Sequence, residues 1–301
     1  MNDGEKVLLI VNPAAGQLHA KTGLMDILCR MNKLGAEVTV YTTGARGDAR
    51  KRAADGAFCY DRIICCGGDG TMNETVNGIM DAAEAGLEKP VKLGYIPAGS
   101  TNDFAAGLGL PKHLGKAAEA AMTGTEHLLD IGSFNKKKFV YVASFGLFSA
   151  TSYQVDQNLK NVFGHMAYVF SGMQELGNIR EYSAKIIADG KEYSGDYIYG
   201  SISNATSIGG VLKMDPKNVD LADGKFEVIL IHPLDTADEL ARVASSVISQ
   251  KPDPTVMEYF HASEIEIEFE QKVNWSLDGE EERGGKKVHI RNLNKMLHFY
   301  S

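Results

Sequence analysis

Arg62-Ile63-Ile64-Cys65-Cys66-Gly67-Gly68-Asp69-Gly70-Thr71-Met72-Asn73-Glu74 passes from an unbroken apolar run into a glycine-rich turn and then into a helical pattern. A continuous apolar run fits a strand covered on both faces, the habit of parallel sheets. Glycine lets the backbone of the turn approach a ligand closely. The helix expected over 73–85 presents its first N–H groups to an anion. That geometry suits a nucleotide phosphate. It is neither the Walker pattern, because no Gly-Lys-Ser/Thr follows, nor G-x-G-x-x-G. Asp69 among phosphates requires a cation between like charges, for which hydrated Mg²⁺ is the natural choice. As a surface-loop carboxylate it should contribute little to the core. The competing reading is a plain strand–helix turn in which Asp69 helps to cap the helix.

The same grammar extends on both sides. Residues 6–11 (KVLLIV), 38–41 and 91–96 read as further strands. Leu24, Ile27, Leu28, Met31 and Leu34 recur at helical spacing before Gly35, and 48–57 reads as a helix. Strands separated by helices imply βαβ units and a largely parallel sheet. From about Leu129 the pattern changes: 139–144, 184–188, 197–202 and 226–231 are strand-like with few helices between them. Asp189-Gly190 sits where a hairpin turn would, and 264–269 alternates Glu with Ile, Ile and Phe. Helical patterns occupy 159–176 and 235–249. The expected fold class is α/β: an N-terminal α/β nucleotide-binding domain (1–128) with a mostly parallel sheet, then an antiparallel β-rich, sandwich-like domain (129–290). Residues 291–301 are expected to return to the first domain.

Composition sets the outer bounds. The chain has 301 residues, 44% hydrophobic and 23% charged, values of an ordinary globular protein too long for one core. A formal net charge of -8 speaks against a nucleic-acid binder. No uncharged apolar run approaches the roughly 18 residues of a membrane span, and the polar start Met1-Asn2-Asp3-Gly4-Glu5-Lys6 is unlike a signal peptide. A cytoplasmic protein is expected. Cys29, Cys59, Cys65 and Cys66 contain no C-x-x-C pair, and neighbours on one strand point to opposite faces, so buried, reduced thiols are expected. Nothing supports a zinc site.

Two more turns follow strands. Val11-Asn12-Pro13-Ala14-Ala15-Gly16 stands at the edge where open parallel sheets bind ligands. Pro97-Ala98-Gly99-Ser100-Thr101-Asn102-Asp103-Phe104-Ala105 follows 91–96; its ordinary reading is a helix entry with Ser100 or Thr101 as N-cap. Three such turns after three strands would meet on one edge of one sheet.

Together they resemble the diacylglycerol kinase catalytic family, in its soluble bacterial lipid kinase branch: Asn-Pro-x-x-Gly, Gly-Gly-Asp-Gly-Thr followed by Asn-Glu, and Pro-x-Gly-[Ser/Thr]-x-Asn-Asp-Phe-Ala stand here in order. The resemblance continues in Val142-Ala143-Ser144-Phe145-Gly146, Gly209-Gly210 and Leu277-Asp278-Gly279-Glu280. Gly-Gly-Asp-Gly alone is shared with NAD kinases and phosphofructokinases; the Asn-Asp-Phe-Ala segment and the immediate Asn73-Glu74 favour the lipid branch. The resemblance implies ATP as phosphoryl donor, bound through Asn12, Pro13, Ala14, Ala15, Gly16, Thr43, Gly67, Gly68, Asp69, Gly70, Thr71, Met72, Asn73, Glu74 and Ser100. It places the catalytic base at Asp278 or Glu280, and a structural Mg²⁺ at Asp220, Asp223 and Lys225, partly through backbone oxygens. The substrate it implies is a membrane lipid, diacylglycerol first, reached by transient contact with the inner face of the membrane. A homodimer is compatible with it.

From the residues alone, Val273, Trp275 and Leu277 alternate like a strand that runs out at Asp278. In extended chain Asp278 and Glu280 share a face, and close carboxylates raise each other's pKa. The alternative is a solvated Asp-Gly turn. For Asp220 and Asp223 the alternative is likewise a surface hairpin. Two positions depart from the family: Gln17 stands where relatives often have a basic residue, and Ala106 where many have Arg beside Asp103. Lys136-Lys137-Lys138, next to Phe139, Tyr141, Phe145 and Phe148, is the densest basic run and a candidate membrane-facing patch. An NAD kinase and a non-catalytic nucleotide-binding regulator are the rival functions.

Overall fold

The structure is a computed structural model that describes residues 4–147, 179–205, 207–208, 212–213 and 219–301. The helix expected at 159–176, Phe148 and Gly209-Gly210 lie outside the described residues, as do the side chains of Gln17 and Lys21. The chain divides into two compact units, Met1–Ile131 with Lys295–Ser301, and Gly132–Asn294.

The first unit alternates β1 (Lys6–Val11), α1 (His19–Lys33), β2 (Glu37–Thr42), α2 (Asp48–Ala57), β3 (Arg62–Gly67), α3 (Asp69–Glu84) and β4 (Lys92–Pro97), followed by α4 (Asp103–Gly107) and α5 (Leu114–Thr123). The strand order is β2-β1-β3-β4, all parallel, with Leu9 opposite Val40 and Ile64, and Ile64 opposite Gly94. Alternate residues serve opposite faces. Val7, Leu9, Val11, Ile64, Cys66 and Ile96 pack with Ile27 and Met31 of α1 and the alanines of α5. The intervening Leu8, Ile10, Ile63 and Cys65 are buried as well, which is why these strands read as unbroken apolar runs. Helix α3 begins at Asp69, four residues before the start expected from periodicity, because the glycine turn already has helical geometry.

Among its described residues the second unit is mostly strand, with one helix where the helical spacing at 235–249 places it. The chain continues through β5 (Glu126–Phe134), β6 (Lys137–Phe139), β7 (Val142–Gly146), β8 (Tyr182–Ala188), β9 (Lys191–Tyr197), β10 (Tyr199–Ser203), the short pair β11 (Ser207–Ile208) and β12 (Leu212–Lys213), β13 (Phe226–Ile231), α6 (Ala237–Ser249), β14 (Met257–Ala262), β15 (Glu264–Phe269), β16 (Trp275–Leu277), β17 (Glu280–Glu282) and β18 (Lys287–Tyr300). One antiparallel set is β18-β15-β8-β9 and the other β14-β13-β10-β7-β16-β17. Their inner faces share a core built on Phe145, Phe226, Phe269, Trp275, Ile265 and Ile290. Helix α6 carries a full capping box, Thr236 with Glu239. Within the first unit, Phe299 and Tyr300 at the end of β18 pair parallel with Leu93 and Gly94 of β4.

Two expected strands are divided: 197–202 is split between β9, which ends at Tyr197, and β10, which begins at Tyr199 in the other antiparallel set, and 139–144 breaks as well. Residues 139–144 form β6 and β7 with a break at Val140–Tyr141, because the N–H groups there bond to the Asp278 carboxylate instead of to a neighbouring strand. The cysteines also differ from expectation. Cys65 and Cys66 are buried, and burial pushes the Cys66 thiol up to about 12, whereas Cys29 and Cys59 are exposed. Cys29 lies two residues from both Ile27 and Met31, on the opposite side of α1; Cys59 follows the end of α2.

Glu227 lies on β13 and is buried. Burial, reinforced by the charges of Asp223 and Asp220, pushes its carboxyl from an ordinary 4.5 up to about 8, against the pull of its own N–H. The native state therefore retains a proton that the unfolded chain releases, and stability falls as pH rises from about 4.5 through about 8. Thermal unfolding should show a lower Tm at pH 9 than at pH 6, and Glu227→Gln should shrink that difference. An identical decline in the variant would assign the pH dependence to other groups.

Candidate active site

In the first unit the three glycine-containing turns all leave the C-terminal ends of parallel strands and interlock. Asn12 N–H donates to the Cys66 carbonyl, Thr43 N–H to Val11 and Ala98 N–H to Gly67, at 2.9, 2.9 and 2.8 Å. Asn12 Oδ1 accepts the Ala14 N–H at 3.0 Å, and its Nδ2 donates to Thr71 Oγ1 at 3.0 Å, joining the first turn to the second. Gly16 has φ +54, and a Cβ there would collide with the Ala98 carbonyl; a Cβ on Gly99 would collide with Gly68. Backbone lies against backbone, and no larger residue fits at either contact. Pro13, Ala14 and Ala15 line the first turn, and Thr43 stands half-buried at the end of β2, while Ser100 is exposed. The turns thus bring together Asn12–Gly16, Thr43, Gly67–Thr71 and the loop around Ser100, with the first-turn N–H groups of α3 among them. Such an array of backbone donors and hydroxyls can hold an anion of phosphate type.

Asp69 is not the surface-loop carboxylate expected. It is partly buried, and its oxygens accept the N–H groups of Asp103 at 3.1 Å and Phe104 at 3.4 Å, so it caps α4 across the loops. Helix α4 has Asn102, at φ +55, as its N-cap residue, with no side-chain cap of its own. Neither Ser100 nor Thr101 takes that place. Burial raises the Asp69 carboxyl above its ordinary value, opposed by the backbone N–H groups it receives. The Asn102 side chain instead closes its own loop: Oδ1 accepts the Gly99 N–H at 2.9 Å and the Tyr95 hydroxyl at 3.3 Å, and Nδ2 donates to the Gly99 carbonyl at 2.9 Å. Tyr95 was not singled out by the sequence, because an aromatic on a buried strand reads as core.

The end of the Gly-Gly-Asp-Gly-Thr-Met-Asn-Glu stretch also has a local task. Glu74 accepts the N–H groups of Gly47 at 2.7 Å and Ala49 at 3.2 Å. It caps α2, whose N-cap Gly47 (φ 88) has no side chain to do so. Met72 is buried in the first turns of α3, and Asn73 accepts the Asn77 amide at 3.2 Å. Glu74, Met72 and Asn73 therefore shape the loop from behind.

In the second unit Asp278 and Glu280 do not share an extended face. Leu277 pairs with Glu280, and the two residues between them, Asp278 (φ 50) and Gly279 (φ 84), form a tight hairpin turn. The Asp-Gly dipeptide is a turn, yet its carboxylate is not solvated. Asp278 is 3% exposed; Oδ1 accepts the Tyr141 and Val142 N–H groups at 2.9 and 3.0 Å, and Oδ2 the Val140 N–H at 2.6 Å. Glu280 is exposed at the start of β17. The hairpin presents one carboxylate outward and spends the other on its own anchorage.

The acidic segment before β13 is a stapled loop. Asp220 Oδ1 accepts the Ala222 N–H at 3.0 Å and Asp223 Oδ1 the Lys225 N–H at 2.9 Å. The carbonyls of Leu221, Ala222 and Lys225 accept side-chain amides from Asn204, Asn294 and Asn292. Asp220, Asp223 and Lys225 are exposed, and no group of three or more His, Cys, Asp or Glu able to hold a metal occurs among the described residues. Oxygen donors suited to a hard cation are present, but not a cage of carboxylates. The basic run is similarly tempered: Lys137 pairs with Glu282.

Two family models match the chain: the diacylglycerol kinase catalytic domain over residues 6–134, and the YegS C-terminal NAD kinase beta sandwich-like domain over 142–296. A diacylglycerol kinase of Bacillus subtilis is 33% identical over 279 residues, 92% of this chain and 90% of that protein. One from Staphylococcus carnosus is 31% identical over 303 residues, covering 99% and 95%. The crystal structure of a diacylglycerol kinase from Bacillus anthracis superposes with TM-score 0.79 at 26% identity, covering 100% of this chain and 99% of that one. No described helix is long and apolar enough to cross a membrane. The interlocked turns of the first unit and the antiparallel second unit are those of a lipid kinase, and the chain belongs to the diacylglycerol kinase catalytic family.

Proposed function

We propose that the chain transfers the γ-phosphoryl group of ATP to the free hydroxyl of diacylglycerol, giving phosphatidic acid and ADP. The supporting observation is the interlocking of the three turns at the strand ends, where Asn12, Gly16, Gly68, Thr71 and Gly99 meet around the start of α3. Backbone N–H groups and the Asn12, Thr43, Thr71 and Ser100 side chains bind the nucleotide. Mg²⁺, which keeps most of its water shell when held by phosphates and one or two carboxylates, suits a loop whose acidic group is Asp69. When bound it neutralises charge on the transferring phosphoryl. Asp220, Asp223 and the Lys225 carbonyl are the residues for a second, structural ion.

The hydroxyl oxygen forms the new bond to phosphorus as the bond to the bridging oxygen of ADP breaks, and Glu280 takes the hydroxyl proton. Asp278 is a positioning residue, since its carboxylate is committed to three backbone N–H groups that fix the hairpin. Contact with the lipid surface is transient and at the inner face of the membrane.

A mixed-micelle assay should show ADP release that depends on dioctanoylglycerol, with sphingosine and NAD as comparison acceptors. Formation of NADP without lipid phosphorylation would overturn the reading in favour of an NAD kinase. Glu280→Gln should leave Tm and ATP binding intact and lower kcat by about 10²-fold or more. Asp278→Asn should lower Tm, because an amide oxygen replaces only part of the carboxylate's accepting capacity, a loss of roughly 1–3 kcal/mol. A Glu280→Gln enzyme with full turnover would remove it as the base. Asp69→Ala should lose activity together with about 0.5–2 kcal/mol of stability, the usual cost of a lost helix cap; unchanged Tm and turnover would discard both roles.

A further inference from the structure

Tyr95 is 1% exposed on β4 and lies beside Cys65 of β3 in the parallel register. Residues alternate along a strand, so its side chain is on the sheet face opposite Ile64, Cys66 and Ile96, which pack with α1 and α5. Two other rings of the first unit hold it. Phe104 of α4 meets Tyr95 with centroids 6.2 Å apart, and Phe299 of β18 meets Phe104 edge-on at 5.5 Å, both spacings usual for aromatic pairs. Phe104 and Phe299 are buried as well. Three packed rings therefore fix where the phenol oxygen lies.

That oxygen stands at the junction of two turns. The Tyr95 O–H is 3.3 Å from the Gly67 carbonyl, where the second turn begins, and 3.3 Å from Asn102 Oδ1 in the third. One proton serves both acceptors. Each acceptor also takes a backbone donor of the third turn: the Gly67 carbonyl takes the Ala98 N–H at 2.8 Å, and Asn102 Oδ1 the Gly99 N–H at 2.9 Å. Asn102 is in the left-handed conformation, φ +55, uncommon for a residue with a side chain. The residues after it are Asp103 and Phe104, whose N–H groups reach Asp69 at 3.1 and 3.4 Å. A displacement of Asn102 is thus passed to Asp69, the first residue of α3. A core phenylalanine would fill the same ring space without needing a polar partner. The hydroxyl adds a tie between turns.

We propose that Tyr95 is a positioning residue for the phosphoryl-donor site: its hydroxyl fixes the third turn against the second, and with it the place of Asp69 and the first N–H groups of α3. The identity of the ligand rests on the kinase reading above; the coupling rests on the hydrogen bonds. Tyr95→Phe keeps the ring and its packing and removes the hydroxyl. Calorimetry with Mg-ATP in the absence of lipid should give a Kd about three-fold or more above wild type, as for one lost hydrogen bond. In mixed micelles the KM for ATP should rise alike, while the KM for dioctanoylglycerol holds. Without nucleotide, hydrogen exchange should quicken in peptides that contain Gly99, Asp103 and Phe104. Tyr197→Phe is the control, since Tyr197 is also buried and donates to Glu258 at 3.3 Å in the second unit. It should lower Tm and leave the Kd for Mg-ATP unaltered. An unchanged Kd in Tyr95→Phe, unchanged exchange in the third turn, or an equal rise of Kd in Tyr197→Phe overturns the positioning role and leaves the kinase intact. A weaker Kd with quickened exchange, in a protein that phosphorylates no lipid, supports the role and sinks the lipid kinase reading. A wild type that binds no Mg-ATP overturns both.

Discussion

Both faces of β1, β3 and β4 are closed to water, so the backbone of the parallel sheet can reach a ligand only where its strands end. That constraint organises the first unit. The three turns leaving those ends have polar backbone groups that the sheet no longer satisfies, and they satisfy part of this need through one another: Asn12 through Thr71, Asp69 through the first N–H groups of α4, Asn102 through Gly99. Glycines at 16, 68 and 99 permit the approach that makes these bonds possible. The start of α3 lies among these turns, and the first N–H groups of a helix are what an anion can use.

The same economy of acceptors explains the acidic residues. Asp69, Glu74 and Asp278 each stand in a motif associated with chemistry, and each is engaged by backbone N–H groups of a different segment. A carboxylate is well suited to this work because it accepts several hydrogen bonds at once and strengthens each by its charge. The consequence for function is a division of labour within the hairpin: Asp278 fixes the turn and divides β6 from β7, and Glu280 remains at the surface. In the first unit, Asp69 ties the second turn to the start of α4.

The second unit builds its sandwich on one face of β13, β10, β7 and β16, and keeps serines and a glutamate on the other. A sheet buried on both faces is costly where one of them carries polar groups, unless those groups have partners. Glu227 meets part of that cost by holding a proton.

Much of this was legible in the chain itself. Period-two and helical spacing assign the α/β and antiparallel halves because burial on one or two faces writes directly into residue order. Glycine, proline and asparagine mark the turns because local backbone conformation selects them. Tertiary structure decided what each carboxylate touches. The pattern of Leu277-Asp278-Gly279-Glu280 is equally that of a strand end with two aligned acids and that of a hairpin. Only the three N–H groups of 140–142, more than a hundred residues earlier, make Asp278 an anchor. Likewise Glu74 caps a helix that begins 26 residues before it, at Asp48, and Asp69 caps α4, which begins 34 residues after it at Asp103. Ser144, Ser201 and Ser276 become one row only through strand register. Local physics fixes conformation residue by residue, whereas hydrogen-bond partners distant in sequence are set by how the elements pack.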